Sequence, residues 1–100
     1  MKVAADLAII PLGVGVSLSS FIAAAVKELE AAGLRCQVHA FGTNVEGDYD
    51  EVFRALKSCL ETIHRMGAPR VNCTIKLGTR TDREQSLQDR VQSVEAKRGS

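Results

Sequence analysis

From Val3 to Leu12 the chain is dense in branched and small apolar residues, and Pro11 and Gly13 close the run. Such a segment predicts a strand in the middle of a sheet, because branched side chains pack well on a pleated surface. Residues 13 to 19, with Gly13, Gly15, Ser17 and Ser19, read as a flexible connection in which Ser17 or Ser19 caps a helix. Leu18, Phe21, Ile22, Ala25, Val26 and Leu29 then fall at steps of three and four, forming one apolar stripe that ends at Gly33. From Leu34 the period changes to two. Leu34, Cys36, Val38 and Ala40 face one way, and Arg35, Gln37, His39 and Phe41 the other. Gly42 breaks that strand, a short extended piece from Thr43 to Glu46 follows, and Asp48 caps a second helix. Its stripe is Tyr49, Val52, Phe53, Leu56, Leu60 and Ile63. Met66-Gly67-Ala68-Pro69 ends it, since Pro cannot continue a helix. Val71, Cys73, Ile75 and Leu77 alternate with Asn72, Thr74, Lys76 and Gly78 as a last strand. Leu87, Val91 and Val94 predict a short, charged third helix over about residues 86–97, ordered by packing on a neighbour.

Two interleaved strand-helix-strand units predict an α/β (α+β) domain of the ferredoxin-like βαββαβ kind. Its four-stranded antiparallel sheet carries both main helices on one face, plus the C-terminal helix. The other face would display Ala8, Ile10 and Phe41 beside His39, Thr74 and Lys76. Apolar residues on an open face call for a cover, so a homodimer or homotetramer is expected.

Composition narrows the function. One hundred residues suit a single domain, residues 1–100, and 45% apolar with 25% charged residues is globular. A net charge of +1, with basic residues spread along the chain, marks neither a nucleic-acid nor a membrane partner. Asp6 interrupts the N-terminal apolar run, so no secretion signal is expected, and no stretch nears the ~20 residues needed to cross a bilayer. Three cysteines, Cys36, Cys59 and Cys73, have no metal-ligand spacing and suit a reducing, cytoplasmic setting. No cofactor is expected.

Few residues offer chemistry. Asp48, Asp50 and Glu51 favour the positive end of a helix, whereas Glu46 precedes the cap and is open to either a ligand role or a structural one. Gly13-Val14-Gly15 lacks the further glycine and the lysine of nucleotide loops, so a capping turn is favoured over an anion site. His39 and His64 lie on different elements with no nucleophile that spacing connects to them. The cysteines lack an activating base. Lys76, Arg80, Asp82 and Arg83 form either a solvated link or an ion-pair network between subunits. An enzyme is therefore not expected.

The chain resembles the small thiamine-binding proteins of the YkoF-like superfamily. The resemblance runs through Ala5 to Gly13, Ser17-Leu18-Ser19 with Phe21-Ile22, residues 42 to 48 and Asp50-Glu51-Val52. It continues through Arg70-Val71, Thr74 to Leu77, Arg80 with Asp82, and Val91 to Lys97. Its most specific part is the Gly-Thr-x-x-Glu-Gly stretch at 42 to 47. The resemblance implies a ferredoxin-like fold, dimers or tetramers, and binding of thiamine or its hydroxymethyl-pyrimidine part. Carried over by motif, Thr43 and Glu46 are the leading ligand residues, with Ser17 and Ser19 next and Thr74 and Lys76 after them. Phe53 or Phe41 would supply a flat wall for the ring. The competing expectation is an oligomeric structural or regulatory interaction module with no bound vitamin.

Overall fold

A computed structural model describes residues 1–99. The chain runs β1 (Lys2–Leu12), α1 (Ser19–Ala31), β2 (Arg35–His39), β3 (Gly42–Asp48), α2 (Tyr49–Arg65), β4 (Arg70–Thr79) and α3 (Leu87–Arg98). The strands form one sheet in the order β2-β3-β1-β4, with every neighbour antiparallel. This is the ferredoxin-like arrangement expected from the strand and helix order.

Alternation along β1 decides the layering. Val3, Ala5, Leu7 and Ile9 are buried with Val45 of β3, and α1 adds Ala25 and Leu29. From α2 come Val52, Ala55, Leu56, Cys59 and Ile63. Both helices therefore cover the same sheet face, and they are tied to each other by polar contacts as well as packing. Cys59 Sγ donates to the Ala25 carbonyl at 3.3 Å, and Thr62 Oγ1 donates to Glu28 Oε1 at 2.9 Å. Cys59 thus lies in the middle of the core and not at the border of the helical stripe, because its thiol finds an acceptor on α1. Burial pushes that thiol up to about 12.

Two local expectations need correction. Neither Ser17 nor Ser19 caps α1: the cap position is Leu18, in a near-helical conformation and with no side-chain cap bond. The half-buried Leu18 side chain is held in the apolar wall it shares with Ile22 and Val26, which fixes where the helix begins. The extended piece at 43 to 46 is a seven-residue strand, Gly42–Asp48, because β1 and β2 pair with it from both sides. Asp48 caps α2 as expected, accepting from the Asp50 amide at 3.1 Å.

The Gly-Thr-x-x-Glu-Gly stretch has a physical reason at each named position. A Cβ on Gly42 would lie 2.8 Å from the Leu7 carbonyl oxygen and 2.8 Å from Asp6 Oδ1. One on Gly47 would lie 2.6 Å from Leu34 Cδ2. Thr43 is buried on the helix side of β3, and Glu46 faces the open side, where its Oε2 accepts from the Leu87 amide at 3.0 Å. That bond holds the start of α3 on the sheet. Ser86 and Asp89 complete a reciprocal capping box there. No residue of α3 is buried, and Val91 and Val94 are exposed.

Candidate functional site

Unequal strand lengths create the site. β1 has eleven residues and β2 only five. β3 pairs with β1 from Lys2 to Leu7, whereas β4 follows β1 as far as Leu12. The turn at Ala40-Phe41 therefore leaves the far half of β1 with no strand beside it on the β3 side, while β4 still pairs with its other edge. A cavity of about 780 Å³ opens in this gap. Its floor is Leu7 to Ile10, its wall is α1 from Leu18 through Ser19, Ile22 and Val26 to Glu30, and its rim is Val38 to Thr43. The volume lies within the range of pockets that hold drug-sized molecules.

The lining is mostly apolar, with a few polar groups. Thr43 is 5% exposed, and its hydroxyl has no hydrogen-bond partner among the described residues. No buried side-chain polar atom among the described residues lacks a partner, so this unpaired hydroxyl opens onto the groove it lines and has free capacity toward whatever enters. Lys27 and Glu30 bring one charge of each sign from α1. His39 Nε2 lies 2.7 Å from Asp6 Oδ1, while its Nδ1 accepts from the Phe41 amide at 3.3 Å. That pattern places the ring proton on Nε2, donating to Asp6, and fixes the shape of the rim. Phe41 is 89% exposed at the tip of the turn and leaves a flat apolar surface at the mouth.

The residues singled out from sequence divide between this groove and other places. Thr43 and Ser19 line it together; Ser17 does not. Glu46 lies on the opposite face of the sheet between two smaller clefts, of about 300 and 60 Å³, with Arg35 Nη1 at 3.9 Å. Thr74 and Lys76 stand exposed on that same open face, on β4. Phe53 packs on Tyr49 along α2, ring centroids 4.7 Å apart. Sequence reasoning did not single out Ile22, Val26, Lys27, Glu30 or Val38 as site residues. No local pattern marks them, since they are brought together by the shortness of β2 against β1, which the register alone reveals.

Burial raises the Cys36 and Cys73 thiols, with Glu30 adding to the effect at Cys36, so neither is activated as a thiolate. No group of three His, Cys, Asp or Glu side chains converges among the described residues as a metal site would require. Arg80 grips Asp82 through two bonds, at 2.5 and 2.9 Å, and holds that carboxyl down at about 2. Arg80 is thus committed within the link before α3. No helix among the described residues is long and apolar enough to cross a membrane.

Comparison with known proteins agrees with this architecture. A UPF0045 protein of Synechocystis is 53% identical over 95 residues, covering 95% of this chain and 78% of that protein. A UPF0045 protein of Methanothermobacter thermautotrophicus is 39% identical over 97 residues, covering 95% of this chain and 98% of that one. The crystal structure of a hypothetical protein from Methanocaldococcus jannaschii superposes with a TM-score of 0.87 at 32% identity, covering 94% of this chain and 96% of the other. The thiamine-binding protein family matches residues 5–95, and the chain belongs to that family.

Proposed function

We propose that the protein binds thiamine, or its free hydroxymethyl-pyrimidine part, in the groove between α1 and the free edge of β1, and does so without converting it. The observation that carries this reading is the Thr43 hydroxyl, unpaired within the described residues and open to an otherwise mostly apolar cavity of about 780 Å³. Thiamine needs hydrogen-bonding groups for its aminopyrimidine, apolar walls for its rings and a carboxylate for its thiazolium charge. Thr43 and Ser19 supply hydroxyls, Ile22, Val26 and Phe41 supply walls, and Glu30 supplies the charge. Membership of the thiamine-binding family supports the same ligand class. The cysteine thiols are raised and not activated among the described residues, which favours a carrier, buffer or sensor in the cytoplasm over a catalyst.

Amide chemical-shift mapping with thiamine and with hydroxymethyl-pyrimidine tests the location. Shifts should concentrate in α1, in residues 38 to 43 and in residues 7 to 10. Shifts confined to the open-face clefts beside Glu46 would move the site to the other side of the sheet.

Self-association belongs to the same proposal. Ile10 is 41% and Phe41 89% exposed, an apolar patch that a second copy of the chain would cover in a homodimer or homotetramer.

A further inference from the structure

The register of the sheet shows which way each peptide group of β1 points. Tyr49 N donates to the Met1 carbonyl at 2.8 Å, and hydrogen bonding in an antiparallel pair alternates every second residue. Met1, Val3, Ala5 and Leu7 therefore turn their N–H and C=O groups toward β3, and the even-numbered residues turn theirs toward β4. The Leu7 carbonyl agrees, since it lies 2.8 Å from where a Cβ of Gly42 would be.

Carried two residues further, this register would set Ile9 opposite Phe41 and Pro11 opposite His39. Neither rung forms. The pairing stops at Leu7 and Thr43, His39 pairs with Gly42 across the turn, and the Phe41 amide is given to His39 Nδ1. The Ile9 N–H and C=O are thus left side by side, without a partner among the described residues, on a residue that forms the floor of the groove and is 5% exposed. Main-chain groups on a residue this little exposed are nearly always bonded, to protein or to water, so an unpaired donor and acceptor facing the groove offer a ready place for a partner.

The occupant can be narrowed. An added β-strand would need a run of donors and acceptors, but after Ile9 the next residue facing that side is Pro11, which has no N–H. One donor and one adjacent acceptor, above an apolar floor, match a flat ring that presents an acceptor nitrogen next to an amino group.

We infer that the free main-chain edge of Ile9 is the recognition element of the groove, pairing with the acceptor-donor edge of an aminopyrimidine-type heterocycle. The inference rests on the proposed site and deepens it: the protein would read its ligand through backbone atoms, with Thr43 beside them. A specificity set in this way tolerates exchange of the Ile9 side chain for other apolar residues and depends on the ring's amino group.

Hydrogen exchange of the isotope-labelled protein, read amide by amide, tests it. In the free protein the Ile9 amide should exchange at least tenfold faster than that of Leu7, and saturating hydroxymethyl-pyrimidine should slow it at least tenfold. The analogue in which hydrogen replaces the amino group should bind about ten- to hundredfold more weakly. Plain aminopyrimidine and aminopyridine, at millimolar concentration, serve as independent probes. If they protect Ile9 while thiamine and hydroxymethyl-pyrimidine do not bind, the vitamin assignment falls and the Ile9 edge stands. An Ile9 amide already protected in the free protein would overturn the inference. So would a bound ring that leaves Ile9 unprotected, equal affinity for the analogue without the amino group, or no protection by any of these probes.

Discussion

Thr43→Val should make the protein more stable and its ligand weaker at the same time. Thr43 is 5% exposed and its hydroxyl has no partner among the described residues; no buried side-chain polar atom there lacks a bond, so this hydroxyl keeps access to the groove, and the folded state bears part of its desolvation. A fully buried, unsatisfied polar group costs about 1–3 kcal/mol, and a hydroxyl that still meets the water of the groove costs about 1 kcal/mol at most. Valine keeps the branched shape that a strand favours and removes the unpaired group. A gain of about 1 kcal/mol corresponds to a rise of about 4–8 °C in Tm for a domain of this size. The ligand loses a hydrogen bond and is left with an unpaired group of its own, equivalent to about a ten- to hundredfold loss of affinity. Thr43→Ser is the opposing control. It keeps the hydroxyl and deletes a buried methyl, so it should bind within about threefold of the parent while losing about 1 kcal/mol of stability. Thermal melts of the ligand-free variants and calorimetric titration of each with hydroxymethyl-pyrimidine give the four numbers. A Val variant that melts below the parent, or that binds as well as it does, would refute the reasoning.

Glu46→Gln should leave affinity in the groove unchanged and loosen α3. The amide oxygen can still accept from the Leu87 N–H, so the loss is the difference between a charge-assisted and a neutral bond, about 1 kcal/mol, seen as about fivefold faster amide exchange in α3. A tenfold loss of ligand affinity would instead put Glu46 in the site. Alkaline pH should destabilise the fold through Cys59. Its native thiol ionises at about 12 against 9.0 for an ordinary one, so its contribution is complete below pH 9.0 and is lost as the pH rises toward 12. Cys59→Ala should flatten the fall in Tm over that window, and an unchanged slope would assign the fall to other groups. Light scattering at micromolar concentration should show a dimer or tetramer, and a stable monomer would mean that Ile10 and Phe41 remain in water.

Much of the fold was legible because burial imposes its period directly on the residues. The alternation in β1 and β4 and the stripe in α2 gave the layers, and Ser86 with Asp89 marks the start of α3 within a residue of the expected place. What lay beyond reach depended on registers and on contacts distant in sequence. Glu46 and Leu87 are 41 residues apart, and no local pattern reveals that a carboxylate on β3 receives the first amide of α3. The start of α1 was misjudged because cap preference favours serine, whereas here the burial of Leu18 in the groove wall decides the boundary. The groove itself depends on where β2 stops relative to β1. Residues 34 to 41 alternate smoothly, so composition alone does not show that pairing with β1 ends at Leu7. The placement of Thr43 beside α1, and of Thr74 and Lys76 on the other face, follows from that register and not from the motif.

Ligand binding is the central claim, and calorimetric titration of the purified, ligand-stripped protein with thiamine and with hydroxymethyl-pyrimidine tests it most directly. Saturable heat is expected for at least one of them, with a rise in Tm that grows with ligand concentration, because a ligand that binds only the native state stabilises it by mass action. Absence of both heat and thermal shift up to millimolar concentration of either compound would contradict the account.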